Sequence, residues 1–282
     1  MRVLQPENLT EALALLAESD IPLVPVAGGT DLMVAWQQQE HAGKTLLDLS
    51  RLTELRNITF TDTELRLGSL VSFWNVRSAP EICSAFPLLE QAARVVGSVQ
   101  IQTRGTWGGN IANGSPAADG VTVLLAYDAD LILQAQSGSV RIPLAEYFQG
   151  YKKSARQPDQ LITEILLPRR NYDFAFFEKI GSRAAQAISR VALAATRNEE
   201  SGWLVAAASV APFVTRCHAV ESLLNSNTSL ASPADLYPAI DRDISPIDDL
   251  RASAEYRREV FARVLFYAIQ NMTRTGKHVH TT

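Results

Sequence analysis

The chain has 282 residues, 46% of them hydrophobic and 20% charged, with a formal net charge of −4 at pH 7. This length allows two domains or one large one, and the charge excludes the basic footprint of a nucleic-acid-binding protein. Cys83 and Cys217 are the only two cysteines, too few for an iron–sulfur cluster or a cysteine-rich zinc site. The sequence has no signal-peptide pattern and no apolar run of about 18 residues, so we expect a cytoplasmic protein.

Strand and helix patterns are mixed over the first 170 residues. Asn8 and Glu11 have the spacing of a capping box in front of a helix with regularly spaced leucines. Ser72 is expected to cap a later, short helix. The predicted strands cover residues 22–27, 45–49, 65–70, 131–134, 140–143 and 161–167, and the longer predicted helices cover residues 32–39, 86–96 and 121–126.

The pattern changes after the basic pair Arg169-Arg170, which indicates a domain junction. Three strands and then three helices are predicted behind it. Strands followed by helices, rather than alternating with them, are the order of an α+β domain. The strands are predicted over residues 174–180, 189–196 and 203–210, with a turn at 198–202, and the helices near residues 218–224, 233–240 and 253–273.

A first candidate binding segment is the sequence AGGTDL at residues 27–32. A strand, two glycines and a helix start direct several backbone N–H groups to one point, where the helix dipole favours an anion. The alternative is a tight turn in which Thr30 and Asp31 cap the helix. The sequence contains neither the G-x-G-x-x-G pattern behind a strand nor a P-loop, so no standard nucleotide motif decides between the two.

A second candidate is the glycine-dense segment 102–120, QTRGTWGGNIANGSPAADG. A long loop of this composition is typical of a binding site, although a purely structural loop is the alternative. Asp119 is placed to cap the next helix, or to accept a hydrogen bond from a ribose or an amide. Two such loops together indicate a dinucleotide. The residues that permit close backbone approach or offer hydrogen bonds are Thr106, Gly108, Gly109, Asn110, Asn113 and Ser115.

Lys179 lies in the predicted strand FFEKIGSR, where a lysine is most often solvated. Phe177 and Gly181 share its face at a period of two, which leaves a role beside an aromatic cofactor open. No serine stands in a nucleophile-elbow pattern, and the four histidines show no metal-ligand spacing. The sequence therefore predicts neither a catalytic triad nor a metal site in this chain.

Four segments resemble the FAD-binding (medium) subunits of the molybdenum hydroxylase family, as in xanthine dehydrogenase and carbon monoxide dehydrogenase. They are PVAGGTDLM, TRGTWGGNIANGSPAADG, FEKIGSR and SAEYRREVFARVL, and the resemblance covers essentially the whole chain. Two details depart from the family pattern. Gln102-Thr103 stands where Arg-Asn is frequent, and Trp107 stands where a smaller aliphatic residue or a tyrosine is usual.

The resemblance implies an α+β fold in two domains. A vanillyl-alcohol-oxidase-type FAD-binding domain of two α/β subdomains would cover residues 1–170, with the subdomains divided near residues 55–60. Residues 171–282 would form the flavoprotein C-terminal domain, a three-stranded antiparallel sheet plus a helical bundle.

The resemblance also implies which residues contact FAD. The first segment would wrap the diphosphate, and the second would contact the diphosphate and the flavin side. Asp119 would hold the cofactor through polar contacts, Ile162 would pack at the adenine end, and Lys179 would lie near the flavin edge. No catalytic residue is implied. The implied cofactor-binding residues are Pro25, Val26, Ala27, Gly28, Gly29, Thr30, Asp31, Leu32, Thr106, Trp107, Gly108, Gly109, Asn110, Asp119, Ile162 and Lys179.

By the same resemblance the chain is an electron-transfer subunit of a heterotrimer. A molybdopterin site on a large partner subunit would hydroxylate the substrate, for which a purine such as xanthine is the first choice. Electrons would cross the 2Fe–2S clusters of a small partner subunit to FAD and reach NAD⁺ or another acceptor. Two alternatives stay open: a stand-alone flavin-dependent oxidoreductase of the same fold, and a non-catalytic interaction module that has lost FAD.

Overall fold

The computed structural model describes residues 2–37, 43–183, 186–226 and 228–275. Within these ranges no helix is both long and apolar enough to cross a membrane. The strands are β1 (Arg2–Leu4), β2 (Leu23–Val26), β3 (Thr45–Asp48), β4 (Ile58–Phe60), β5 (Glu64–Gly68), β6 (Asp130–Ala135), β7 (Gly138–Pro143), β8 (Phe148–Gly150), β9 (Lys153–Ser154), β10 (Leu161–Pro168), β11 (Tyr172–Ile180), β12 (Val191–Asn198), β13 (Gly202–Ala208) and β14 (Thr215–Arg216). The helices are α1 (Leu9–Glu18), α2 (Leu32–Gln37), α3 (Phe73–Arg77), α4 (Pro80–Ala85), α5 (Pro87–Val95), α6 (Val99–Arg104), α7 (Trp107–Asn113), α8 (Asp119–Ala126), α9 (Leu144–Tyr147), α10 (His218–Asn225), α11 (Tyr237–Asp243) and α12 (Ala254–Thr275), with 3-10 helices at Thr53–Arg56 and Pro233–Leu236.

The N-terminal unit is a three-stranded parallel sheet in the order β1-β3-β2. Leu46 of β3 pairs with Val3 on one side and with Val24 on the other. Helix α1 packs on this unit, and its Ala12 shares a core cluster with Leu47 of β3. Because β2 is an edge strand, the first glycine segment leaves the sheet at its open side.

The predicted caps of α1 and α3 are present. The Asn8 side chain accepts a hydrogen bond from the Glu11 N–H at 2.9 Å. The Glu11 carboxylate accepts one from the Glu7 N–H at 2.8 Å, one residue before the cap, so the expected reciprocal bond is displaced by one position. Ser72 and Asn75 form a full capping box on α3. The predicted end of the helix at residues 38–39, and His41, His278 and His280, lie outside the described residues.

A five-stranded antiparallel sheet in the order β4-β5-β10-β6-β7 follows. One face of it, with Leu67, Leu131 and Ile165, packs against α3, α5, α7 and α8 in the largest core cluster. The register between β10 and β6 shifts between Ile162 and Glu164, and such an irregularity bends a strand and increases its twist. The second glycine segment lies on this sheet and its helices.

The C-terminal unit is a four-stranded antiparallel sheet in the order β11-β12-β13-β14 with helices on both faces. Alternate small residues such as Ala194 and Ala206 face α8, so the helix packs closely on the sheet. Larger residues such as Leu193 point the other way and pack with α10, α11 and α12. The observed sheet has four strands, one more than the three predicted. The additional strand, β14, has only two residues, too few to show a period of two in the sequence.

Helix α8 lies between these two larger sheets. All eight of its residues are buried, and its apolar residues share one core cluster with strands of both sheets. The hydroxyl of Thr196 on β12 donates a hydrogen bond of 2.6 Å to the carbonyl of Ala126, the last residue of α8. A helix that is apolar on all sides belongs in a protein interior, and the predicted buried helix over residues 121–126 is present with two more residues at its start.

The glycine-dense segment 102–120 is mostly helical, so the prediction of one long loop is wrong. It contains the end of α6, all of α7 and the start of α8. Thr106 caps α7 by accepting a hydrogen bond from the Gly109 N–H at 3.0 Å, and Gly114 ends the helix in the left-handed conformation, with φ of 62°. Trp107 and Ile111 are fully buried, and their packing offsets the helix-weakening effect of the glycines.

Candidate functional site

The two glycine segments meet at their backbones. A Cβ atom on Gly28 would lie 1.9 Å from the carbonyl oxygen of Arg104, the last residue of α6. A Cβ atom on Gly109 would lie 3.8 Å from that of Ala27. Only glycine allows the first of these approaches, so residue 28 fixes how closely the segments join. The structure thereby brings together two motifs that are about 80 residues apart in the chain.

The first segment is an open edge of this site. Of its predicted site residues, Pro25, Val26, Ala27, Gly28, Gly29, Thr30 and Leu32 are half-buried and Asp31 is exposed. Gly29 has a φ of +75°, and a Cβ atom there would meet nothing within 4 Å. The following helix α2 begins with a bond from the Met33 N–H to the Gly29 carbonyl at 2.9 Å and contains no buried residue. This segment therefore has a free surface on which a ligand can lie.

The second segment is a packed wall. The N–H groups of Trp107 and Gly108 donate to the carbonyls of Val71 and Ser69, each at 3.0 Å. The Trp107 ring is fully buried and lies 4.8 Å from the Phe73 ring, centroid to centroid. Thr106, Trp107 and Gly108 are buried, whereas Gly109 and Asn110 are half-exposed. Gly109 and Asn110 are thus accessible from the site, whereas Thr106, Trp107 and Gly108 are anchored in the core.

Three buried polar atoms of this wall have no hydrogen-bond partner among the described residues. They are Trp107 Nε1, Asn110 Oδ1 and Asp119 Oδ1. The Asn110 oxygen lies beside the backbone of α8, since a Cβ atom on Gly120 would be 2.7 Å from it. Buried polar groups in native proteins are nearly always paired. Unsatisfied acceptors in the predicted binding segment fit a polar ligand that supplies the missing donors.

Asp119 and Lys179 form a buried ion pair between the wall and the C-terminal sheet. Lys179 Nζ donates to Asp119 Oδ2 at 2.6 Å and to the Val95 carbonyl at 3.0 Å, and both side chains are at least nine-tenths buried. Burial raises the pKa of Asp119 to about 6, although Lys179 opposes the shift. The interpretation of Lys179 as a solvated residue is therefore wrong. Asp119 is also not a helix cap: Ala118 holds that position, and Asp119 is the first residue of α8.

Ile162 is placed away from the meeting point of the two segments. It is buried in the core of the five-stranded sheet and pairs with Leu133 of β6. Its link to the wall is indirect, because the carbonyl of the next residue, Thr163, accepts from the Ser69 N–H at 2.9 Å. Ser69 in turn contacts Gly108. The structure therefore joins the first segment to the second through Ala27 and Gly28, pairs Lys179 with Asp119, and places Ile162 in the core behind Ser69.

Sequence reasoning missed several backbone groups that shape the site. The carbonyls of Ser69, Val95 and Arg104 each contact a predicted site residue. A carbonyl carries no side-chain signature, so no pattern in the sequence could single these out. Ser72 was the one available signal, because its predicted cap starts α3 beside Thr106, with which it forms an isolated β-bridge.

Comparison with known proteins agrees with this architecture. Residues 1–170 match the family model described as the FAD binding domain in molybdopterin dehydrogenase, and residues 174–272 match the CO dehydrogenase flavoprotein C-terminal domain. The chain belongs to the family of FAD-binding subunits of molybdopterin dehydrogenases. The resemblance inferred from the four sequence segments is confirmed.

Individual relatives differ in the substrate that their names give. The chain is 32% identical to a nicotinate dehydrogenase FAD-subunit of Eubacterium barkeri, over 65% of this chain and 64% of that one. It is 29% identical to the xanthine dehydrogenase FAD-binding subunit of Escherichia coli O157:H7, over 95% of this chain and 91% of that one. A carbon monoxide dehydrogenase structure from Hydrogenophaga pseudoflava has the same fold, with a TM-score of 0.88 at 24% identity over 96% of each chain.

FAD is the cofactor of this family, and the site has the groups to hold it. The first segment offers backbone close to an open surface, the wall offers unsatisfied acceptors at Asn110 and Asp119, and Lys179 supplies a positive charge. The described residues contain no cluster of histidine, cysteine, aspartate or glutamate side chains suited to a metal ion. The unsatisfied acceptors and the open backbone of the first segment fit a polar organic cofactor.

Proposed function

We propose that this chain is the FAD-binding electron-transfer subunit of a molybdenum hydroxylase complex. It takes electrons from iron–sulfur clusters of a small partner subunit and passes them to NAD⁺ or another acceptor. The observations that carry the proposal are the contact of the two glycine segments, Gly28 against Arg104 and Gly109 against Ala27, and the buried Asp119–Lys179 pair that starts at the end of the second segment. These residues lie in three of the four segments through which the sequence resembles the family.

The first segment would hold the FAD diphosphate. The residues from Pro25 to Leu32 combine a half-buried strand end, two glycines and the start of α2. Gly29 leaves its surroundings open, and Gly28 lets the segment touch the end of α6. Both features favour close approach of an extended anion to the backbone.

The second segment and the ion pair would hold the flavin side. Thr106, Trp107 and Gly108 fix the wall, and Gly109 and Asn110 are its accessible residues. Asp119 Oδ1 and Asn110 Oδ1 are the free acceptors. Lys179 is held by Asp119 and Val95, so its charge stays in a fixed position. Ile162 would act through packing at the adenine end.

When bound, FAD exchanges electrons singly or in pairs, so it can connect one-electron carriers with a two-electron acceptor. The residues of this chain bind and orient it and set the polarity around it. The buried wall excludes water from one side, and the lysine places one positive charge beside the site. Charge near a flavin ring changes its electronic properties, so Lys179 is a candidate for tuning its potential.

The proposal places the other redox groups on partner subunits. The chain has two cysteines, both free, with Cys83 half-buried and Cys217 buried, and an iron–sulfur cluster held by cysteines alone needs four of them. We infer a large molybdopterin subunit, a small iron–sulfur subunit, a purine such as xanthine as substrate, and a cytoplasmic location. Support for the purine is the similarity to a xanthine dehydrogenase subunit, and the nicotinate dehydrogenase relative makes nicotinate the substrate to compare with it.

The first test is an absorption spectrum of the purified chain with a mass measurement of any released cofactor. We expect the bands of oxidised flavin and the mass of FAD. A colourless protein, even when it is produced together with its partners, would contradict the proposal and favour an interaction module.

The second test assigns the electron donor. The complex should contain molybdenum and iron and should reduce its flavin with xanthine, whereas the isolated chain should not reduce its flavin with xanthine, nicotinate or any other small substrate apart from NADH, the reduced form of the proposed acceptor. Reduction of the flavin by nicotinate and not by xanthine would keep the subunit assignment and change the substrate. Reduction of the isolated chain by a small substrate other than NADH would identify a stand-alone oxidoreductase.

A further inference from the structure

Arg257 is a buried cation in α12, a helix on the face of the C-terminal sheet that points away from α8. It lies in SAEYRREVFARVL, a family-like segment that has no role in the proposed function. The residue is only 2% exposed, and its Nη2 donates to Asp249 Oδ1 at 2.7 Å. Burial of a charge is costly unless the charge is paired and hydrogen-bonded, so the partners of this guanidinium show what it holds in place.

The second terminal nitrogen, Nη1, joins two strand ends of the sheet. It donates to the carbonyl of Arg190, just before β12, and to the carbonyl of Ser209, just after β13, both at 2.7 Å. These two residues flank the strand pair Ala192–Ala208, so both carbonyls lie at the same end of the sheet. Ser209 has a φ of +63°, a conformation that is unfavourable for a residue with a side chain and persists only where its surroundings hold it.

The first strand end leads to Lys179. The N–H of Arg190 donates to the carbonyl of Ile180 at 2.7 Å, and Ile180 directly follows Lys179 on β11. The two strands pair in register at this end, with Ile180 opposite Val191. A shift of the Arg190 carbonyl therefore moves the end of β11 that carries the lysine.

The second strand end leads to Asp119. The N–H of Ser209 donates to the carbonyl of Pro116 at 2.7 Å, three residues before Asp119 in the second glycine segment. Since Lys179 binds Asp119 at 2.6 Å, the contacts form a closed series that starts and ends at the guanidinium of Arg257. Each partner of the buried ion pair is thus tied to a carbonyl that the same nitrogen holds.

We propose that Arg257 is a positioning residue of the cofactor site, which sets the place of Lys179 against Asp119 from the other face of the sheet. The inference rests on the proposed function, because it gives the lysine charge a fixed place beside FAD. Binding groups keep their geometry only where the residues behind them are locked by packing and hydrogen bonds. Without the guanidinium the two strand ends are free to move apart, and Lys179 and Asp119 move with them.

The test is a double-mutant cycle on the full chain, with the dissociation constant of FAD, followed by flavin fluorescence, as the readout. Arg257→Met should weaken FAD binding about tenfold, because members of one hydrogen-bond network are energetically coupled. In the Lys179→Met background the same substitution should weaken binding less than about threefold, because the charge that Arg257 positions is absent. All titrations are made at a temperature at which the four proteins are folded.

Two further variants separate positioning from stability. Arg257→Lys keeps a charge and a donor for the carbonyls, so its FAD affinity should lie between those of the wild type and Arg257→Met. It also replaces Arg257→Met in the cycle if the latter does not fold. Leu265→Ala is the matched control, because Leu265 is fully buried on the same helix and packs among apolar residues. It should lower the thermal midpoint and leave FAD affinity as in the wild type.

An equal loss of FAD affinity in both backgrounds, or a loss in Leu265→Ala as large as in Arg257→Met, would overturn the positioning role. A wild-type chain that binds no FAD would refute the proposed function instead. The same cycle then uses the thermal midpoint, and Lys179→Met should lower it less in the Arg257→Met background than in the wild type. Equal decreases would overturn the link between Arg257 and the ion pair.

Discussion

The two sides of the candidate site are built in opposite ways. The first segment, residues 25–32, lies at an edge strand and leads into a helix without a single buried residue. The second, residues 106–119, is mostly helical, its Trp107 is fully buried and its Asp119 is only 6% exposed. One side is a loosely held edge and the other is part of the main core.

This contrast separates two tasks. A wall anchored in the core fixes the position of a cofactor, and its residues contribute to folding even when nothing is bound. An open edge contributes little to folding, so its sequence is free to serve the ligand. Substitutions in the wall should therefore mainly lower stability, and substitutions in the edge should mainly lower affinity.

The largest effect is expected from Trp107→Ala in the wall. Removal of a fully buried tryptophan that packs on Phe73 should lower the free energy of unfolding by about 4 kcal/mol. Trp36→Ala is the matched control in α2, where the ring is half-exposed, and should cost about 1 kcal/mol or less. Urea denaturation of the two variants measures both values, and equal costs would remove the contrast between wall and edge.

The second-largest loss of unfolding free energy is expected from Lys179→Met. It leaves Asp119 buried without its cation, and removal of one partner of a buried pair typically costs about 3 kcal/mol or more. Arg197→Met is the control on the neighbouring strand, because its pair with Asp173 is solvent-exposed and should contribute less than about 1 kcal/mol. Chemical denaturation at pH 7 compares the two, and a similar loss in both variants would show that burial of the pair has no energetic weight.

The same pair should make the stability of the wall depend on pH. Burial raises the pKa of Asp119 from 3.8 to about 6, so its protonated form is favoured in the folded state. The resulting stabilisation is complete below about pH 4 and is lost as the pH rises through 6, by up to about 3 kcal/mol. Unfolding free energies of the wild type and Asp119→Asn between pH 4 and 8 test this. The wild type should lose stability relative to the variant, and parallel curves would disprove the shift.

The smallest stability effects are expected in the edge, where two adjacent glycines give a matched pair. Gly28→Ala would force the segment away from the Arg104 carbonyl, and Gly29→Ala would meet no atom but would strain a φ of +75°. Gly28→Ala should cost about 1 to 3 kcal/mol of stability, and Gly29→Ala about 1 kcal/mol. FAD titration followed by flavin fluorescence should separate them: Gly28→Ala should weaken binding roughly tenfold or more, because the two sides no longer meet. Equal affinities would mean that the contact at Gly28 does not shape the site.

Local signals in the sequence predicted much of this architecture. Asn8 with Glu11, Ser72 and the strand patterns depend on residues within a few positions of each other, and the structure contains them. The prediction of a long loop over residues 102–120 was wrong for a physical reason. Its composition favours a loop, but burial of Trp107 and Ile111 stabilises a helix that composition alone does not predict.

The contacts that make the site depend on the fold as a whole. Lys179 and Asp119 are 60 positions apart, and the third member of their cluster is the Val95 carbonyl. The residue types alone indicate neither that Lys179 and Asp119 are close in space nor that the Val95 carbonyl points toward Lys179. The resemblance to a family named both side chains as cofactor contacts, but it did not predict that they bind each other. Their roles toward FAD stay a prediction.

Helix α8 has a consequence for how the molecule comes apart. The two family regions adjoin between residues 170 and 174, yet α8 from the first lies against the alanine-lined sheet of the second. A cut at the junction would expose that helix on one fragment and the alanine face on the other. The two family regions are separate in sequence, but they should not unfold separately. We expect both to unfold in one cooperative transition.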